Sequence, residues 1–283
     1  MLTGEGTDAA TPETGARHSG AVRSLIIVRA MFAILLLAAA SCPALAQNVA
    51  APRDPMSARL SAEKVGDVET GAFSAGDNLN FTLDPYGDKY LLRLADSPER
   101  YVLTVERIFL GGRILHYDTG ATALRVSVWG GMTLYTASAP DGLPATRIGD
   151  DDAVPRDPVS HDDLVAALAD EESHLAYTLG LHIRFSAEPA VLAAGEENRG
   201  LAFDALVSAE SGIERLVATP GGRQALAKKF DMIRIVKSDK PGVTVSGKTL
   251  TVSFVPSAGA AGRASSRQVA QQLGKMLQVA EAG

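Results

Sequence analysis

From about Val65 to Ile148 apolar and polar residues alternate, and glycine or aspartate turns break the alternation at short intervals. Lys89-Tyr90-Leu91-Leu92-Arg93-Leu94 runs into the turn signal Asp96-Ser97-Pro98, and Tyr101 to Phe109 alternates again. Gly111-Gly112, Asp118-Thr119-Gly120 and Gly130-Gly131 separate the next short runs, the second of them ending in Leu124 to Trp129. Short strands of period two with glycine turns predict an antiparallel β meander, closed into a small barrel or sandwich. After residue 160 the period becomes helical. Ser160 with Asp163 three residues on predicts a capped helix to about Leu179, stopped by Gly180. A short strand over 181–185 and helices over 196–217 and from Thr219-Pro220 to about Phe230 follow. Period two then returns at Met232–Val236, Val243–Val245 and Thr249–Phe254, and a helix after Ser265 carries one apolar stripe, including Val269, Leu273 and Leu277. The expected fold is α+β: an antiparallel β unit over 65–148, a connector over 149–159, and a helical region with a β-hairpin and a C-terminal helix over 160–283.

The first 46 residues are read separately, as an N-terminal extension and a signal peptide. Arg23 and Arg29 precede the apolar stretch Ala30–Ala40, and Ala44-Leu45-Ala46 gives a small-x-small cleavage pattern before Gln47. The apolar stretch after Arg29 is short of the roughly 20 residues a bilayer span needs. The expectation is cleavage after Ala46, a periplasmic or secreted product, and no transmembrane helix in the mature chain. Residues 47–64, rich in Ala, Pro and Ser, read as a linker. Cleavage removes Arg17, Arg23 and Arg29 together with Glu5, Asp8 and Glu13, so 24 Lys+Arg remain against 30 Asp+Glu. A mildly acidic chain without basic clusters argues against nucleic acid as a partner. Cys42, the only cysteine, lies inside the signal, so disulfides and thiolate metal sites are not expected in the mature chain.

Candidate chemistry is sparse. Gly242-Val243-Thr244-Val245-Ser246-Gly247-Lys248-Thr249 fits the phosphate-loop pattern. That chemistry needs a helix N-terminus after the loop, and here another alternating run follows, so Ser246-Gly247-Lys248 reads as a hairpin turn. At 100° per residue Glu172 falls within the apolar face of the first helix and Glu210 within that of the second. Two inward carboxylates could share a proton as an acid/base pair, hold a cation, or pair with Arg199 or Arg215. The plainer reading places each in a polar groove. Glu171 and His174 have ligand spacing on one helix, but His161, Asp162, Asp163, His174 and His182 lack a zinc-hydrolase motif and read as a solvated face. Asp150-Asp151-Asp152 lacks the alternating ligands of a calcium loop. No serine elbow is found. Trp129 beside Gly130-Gly131 reads first as core and second as a ligand surface.

Four segments together carry a resemblance: Phe81-Thr82-Leu83-Asp84; Tyr90-Leu91-Leu92-Arg93-Leu94; Gly130-Gly131-Met132-Thr133-Leu134-Tyr135-Thr136; and Gly259-Ala260-Ala261-Gly262-Arg263-Ala264-Ser265-Ser266. They resemble a family of exported bacterial proteins carrying a domain of unknown function. The resemblance implies an exported protein and assigns no reaction, so no residue role is transferred.

The expected function is that of a non-enzymatic exported envelope protein binding a partner, either an envelope protein or an apolar ligand. The alternative is a carboxylate-dependent hydrolase of cell-envelope glycan or peptide using Glu172 and Glu210. Neither a cofactor nor a metal is expected.

Overall fold

The computed structural model describes residues 67–150 and 158–279. The expected signal peptide over 1–46, the expected linker over 47–64 and the middle of the 149–159 connector lie outside the described residues.

Eight strands follow one another as an antiparallel meander: β1 (Gly71–Ala75), β2 (Leu79–Tyr86), β3 (Lys89–Leu94), β4 (Arg100–Arg107), β5 (Arg113–His116), β6 (Thr122–Val126), β7 (Met132–Leu134) and β8 (Leu143–Gly149). β1 pairs back onto β8, Phe73 opposite Arg147, so the sheet is a closed barrel rather than a sandwich and has no free edge. The alternation read from the sequence now has its cause. Phe73, Phe81, Leu83, Leu92, Leu103, Leu115, Leu124 and Leu134 form one buried cluster, with Phe73 and Phe81 stacked at 5.1 Å. The barrel interior is filled by side chains.

Beyond the connector come α1 (His161–His174), β9 (Arg184–Ala187), α2 (Pro189–Leu192), α3 (Glu196–Val217), α4 (Gly222–Lys229), β10 (Met232–Lys237), β11 (Gly242–Ser246), β12 (Thr249–Phe254) and α5 (Ser266–Leu277). The strands make a four-stranded sheet in the order β11-β12-β10-β9. The β11–β12 hairpin turns at Ser246-Gly247-Lys248, with Gly247 at φ 60°, so the phosphate-loop match is a turn as expected. β10 runs parallel to both β9 and β12, a pairing that local periodicity does not encode. Apolar residues on one face of this sheet and on the helices, among them Leu206, Ile213, Phe230, Ile235, Leu250, Val252 and Leu273, share a second core. Gly212 lets α3 and α5 touch: a Cβ there would lie 2.6 Å from Val269 Cγ1.

One strand boundary departs from expectation. β6 ends at Val126, and Ser127 to Gly131 form a turn in which Ser127 N–H bonds to the Gly131 carbonyl at 2.8 Å. Trp129 therefore sits on a turn and is 83% exposed, not core.

Candidate functional site

α1 is opened by a complete capping box, Ser160 Oγ accepting from Asp163 N–H and the Asp163 carboxylate from Ser160 N–H. Its last turn carries Glu171, Glu172 and His174, and a π-helical turn over Leu175–Leu179 follows at once, ending at Gly180 in the left-handed region. Such turns insert an extra residue and re-aim the side chains around them. Thr178 Oγ donates to the His174 carbonyl at 2.6 Å within that turn. Opposite stands α3, whose Ala205, Leu206, Ala209, Ile213 and Leu216 are buried and whose Glu210 and Glu214 lie one turn apart. His174 Nε2 reaches across to both carboxylates, 3.1 Å from Glu214 Oε1 and 3.5 Å from Glu210 Oε1. Glu210 has 12% of its side chain exposed, while His174 and Glu214 remain accessible.

The electrostatics follow from that placement. Burial, then the Glu214 and Glu171 carboxylates, push the Glu210 carboxyl group up to about 7. Burial also raises Glu171, against the nearby His174. His174 is raised in turn, first by its hydrogen bond to Glu214 and further by the charges of Glu210, Glu214 and Glu171.

Of the two carboxylates read from the sequence, Glu210 is at this cluster. Glu172 is half-buried on α1, and the acids that act on Glu210 are its neighbour Glu171 and Glu214. Neither arginine considered as a partner is directed here. Arg199 donates to the Val159 carbonyl at 2.9 Å and to that of Ala194, and Arg215 to Ser266 Oγ and Tyr101 OH, each at 3.0 Å. His161 and His182 are exposed. His174, read from the sequence as part of a solvated face, is at the cluster, and the missed member Glu214 carried a signal: it stands four residues after Glu210 on the same helix.

A second polar cluster is buried where the barrel meets α5. Glu99, after the β3–β4 turn, accepts from Ser266 N–H at 2.7 Å and from Ser266 Oγ at 2.5 Å. Asp118, in the β5–β6 turn, accepts from Ser265 N–H and Ser265 Oγ at 2.7 and 2.6 Å, while Ser265 Oγ caps α5 by accepting from Gln268 N–H. Arg263 lies 3.7 Å from Glu99, donates to Ser208 Oγ and the Arg100 carbonyl, and leaves only 4% of its side chain exposed. Apart from Arg263 Nε, which has no hydrogen-bond acceptor and lies 3.9 Å from Asp204 Oδ2, these groups are bonded to another part of the fold, which makes this a joint between barrel and helices.

The opposite end of the barrel is different in kind. Strand alternation places the start of β1 and the β2–β3, β4–β5 and β6–β7 turns together there. Phe109 (91% exposed) and Leu110 crown the β4–β5 turn, Trp129 the β6–β7 turn, and Ile148 lies near the end of β8; all four are exposed. The two turns adjoin, since a Cβ on Gly112 would sit 3.0 Å from the Val126 carbonyl. Leu110 holds φ 72°, ψ 12°, a left-handed conformation that costs a leucine about 1–2 kcal/mol.

Together these features define an α+β protein in which a packed eight-stranded barrel and a mixed-sheet layer meet at a buried ionic joint, with a histidine–carboxylate cluster on the helical side. The chain belongs to the family described as a domain of unknown function (DUF4908), whose profile matches residues 54–273. No curated protein and no solved structure matches the chain. Among the described residues no helix is long and apolar enough to cross a membrane.

Proposed function

We propose that the protein is a non-enzymatic, exported envelope protein whose barrel docks on the surface of a lipid bilayer through its apolar rim. The observation that carries this reading is the exposure of Phe109, Leu110 and Trp129 on the adjoining β4–β5 and β6–β7 turns at one end of the barrel. Exposed apolar groups gathered in one place mark interaction surfaces, and tryptophan favours the membrane interface. The positive φ of Leu110 belongs to the hydrogen-bonded β4–β5 turn, which presents this apolar side chain outward, 75% exposed. Because the barrel interior is filled, an apolar surface suits this protein better than an apolar ligand held inside. A bilayer is favoured as that surface because the exposed residues include a tryptophan, the side chain that best suits the boundary between acyl chains and headgroups. Large apolar side chains contribute about 1.5–3 kcal/mol each when fully buried, so a few of them give reversible attachment.

Trp129 is the only tryptophan and reports on the rim directly. With phosphatidylcholine vesicles the full chain should show Trp129 emission moving to shorter wavelength and quenched by brominated acyl chains, with little dependence on salt. A chain recruited to vesicles with Trp129 emission unchanged would refute the rim, because the N-terminal segment would then be the anchor.

The second reading is a carboxylate-dependent hydrolase of cell-envelope glycan or peptide. It is favoured by Glu210 alone, whose carboxyl group at about 7 holds a proton near neutrality as a general acid must. Fragments released from purified envelope polymer, and lost in Glu210→Gln, would establish it; equal release by the variant would remove Glu210 from the chemistry.

A further inference from the structure

The structure assigns to His174, Glu210 and Glu214 a binding site for one divalent transition-metal ion of the zinc class. This goes beyond the docking rim, lies on other elements and stands or falls separately.

The donor atoms set the argument. One nitrogen and two carboxylate oxygens, from two helices, lie within 4.8 Å of one another. Zinc bonds to nitrogen and oxygen are about 2.0–2.2 Å, so neighbouring donors in a tetrahedral site lie roughly 3.3–3.5 Å apart. The two histidine–carboxylate distances, 3.1 and 3.5 Å, bracket that edge. An imidazole with carboxylates suits zinc, iron, manganese or cobalt, whereas calcium and magnesium take oxygen donors.

Local structure supports the same assignment. Glu171 and His174 have the Glu-x-x-His spacing by which one helix presents a carboxylate and an imidazole toward a metal, facing glutamates of a neighbouring helix. The π-helical turn beginning right after His174 is a distortion found often at functional sites. Glu210 and Glu214 bring two carboxylates against one imidazole, a donor set whose charge a bound divalent cation offsets once they are deprotonated. The accessible faces of His174 and Glu214 give the ion a path in, and three protein donors leave a coordination position for water.

The test uses the full chain stripped with EDTA and dialysed, titrated with ZnCl2 by calorimetry and with CoCl2 by visible absorption. One zinc per chain and the intense d–d bands of four-coordinate cobalt are expected, with magnesium and calcium failing to compete. His174→Ala and Glu214→Gln, both at accessible positions, should each weaken zinc by tenfold or more while leaving the circular dichroism spectrum intact. His161→Ala and His182→Ala should leave it unchanged. Absence of zinc and cobalt binding would overturn the site and leave an imidazolium paired with carboxylates. Binding that survives both cluster substitutions would overturn it too, placing the ion elsewhere.

Discussion

Glu210→Gln removes a single charge and keeps the side chain's shape, so its effect can be worked from the surroundings. The carboxyl group rises from an ordinary 4.5 to about 7 because burial and the Glu214 and Glu171 charges oppose its ionisation. At 1.36 kcal/mol per pH unit that rise corresponds to about 3 kcal/mol, and solvent screening at a partly open cleft reduces it to about 1–2 kcal/mol. The sign is fixed by linkage. A group whose pKa is higher in the folded than in the unfolded chain contributes its full stability below pH 4.5 and loses it as pH rises through about 7. Glutamine has no such loss. The variant should therefore match the parent at pH 4 and exceed it by about 1–2 kcal/mol at pH 8.5. For a chain of this size that difference is roughly 3–6 °C in melting temperature. The assay is thermal unfolding at pH 4, 6, 7 and 8.5 in EDTA. A gain that is the same at pH 4 and pH 8.5, or a loss at pH 8.5, would show that Glu210 is not held among like charges.

Arg263→Ala should destabilise the fold by about 3–5 kcal/mol, because it leaves the buried Glu99 carboxylate without its counter-charge, and a urea midpoint close to the parent's would contradict the joint. Leu110→Gly should raise stability by about 0.5–1 kcal/mol, the left-handed penalty less the entropic cost of glycine, while weakening the vesicle response of Trp129. Equal stability together with an undiminished Trp129 shift would separate the strain from the docking rim.

Much of the fold was legible because it is written locally. The meander over 65–148 follows from side-chain alternation, which closure of the barrel rewards with Leu83, Leu103, Leu124 and Leu134 all facing one interior. Helix α3 occupies the predicted 196–217, and Ser160 and Ser265 cap α1 and α5 where hydroxyl side chains precede apolar periodicity. Tertiary facts escaped. Parallel pairing of β9 with β10 depends on the intervening helices, and the burial of Glu99 and Arg263 depends on a partner more than a hundred residues away. Trp129 was misplaced because hydrophobicity alone cannot tell a turn that presents a side chain from a strand that buries it. At the cluster, helical angle identified Glu210 but not its partners, because which residues of α1 face α3 depends on how the two helices cross and on the π-helical turn after His174.

The joint at Glu99 also orders events during synthesis. Its carboxylate is completed by Ser266, 167 residues later in the chain, and by Arg263 just before it. A chain made only as far as the last barrel strand lacks Ser265, Ser266 and Arg263, so Glu99 and Asp118 still face water instead of the donors that bury them. Only when the last helix emerges does the lock close. Chains truncated before Arg263 should thus keep their strands but lack the final fastening, making the C-terminal segment a checkpoint that distinguishes a finished molecule from an unfinished one.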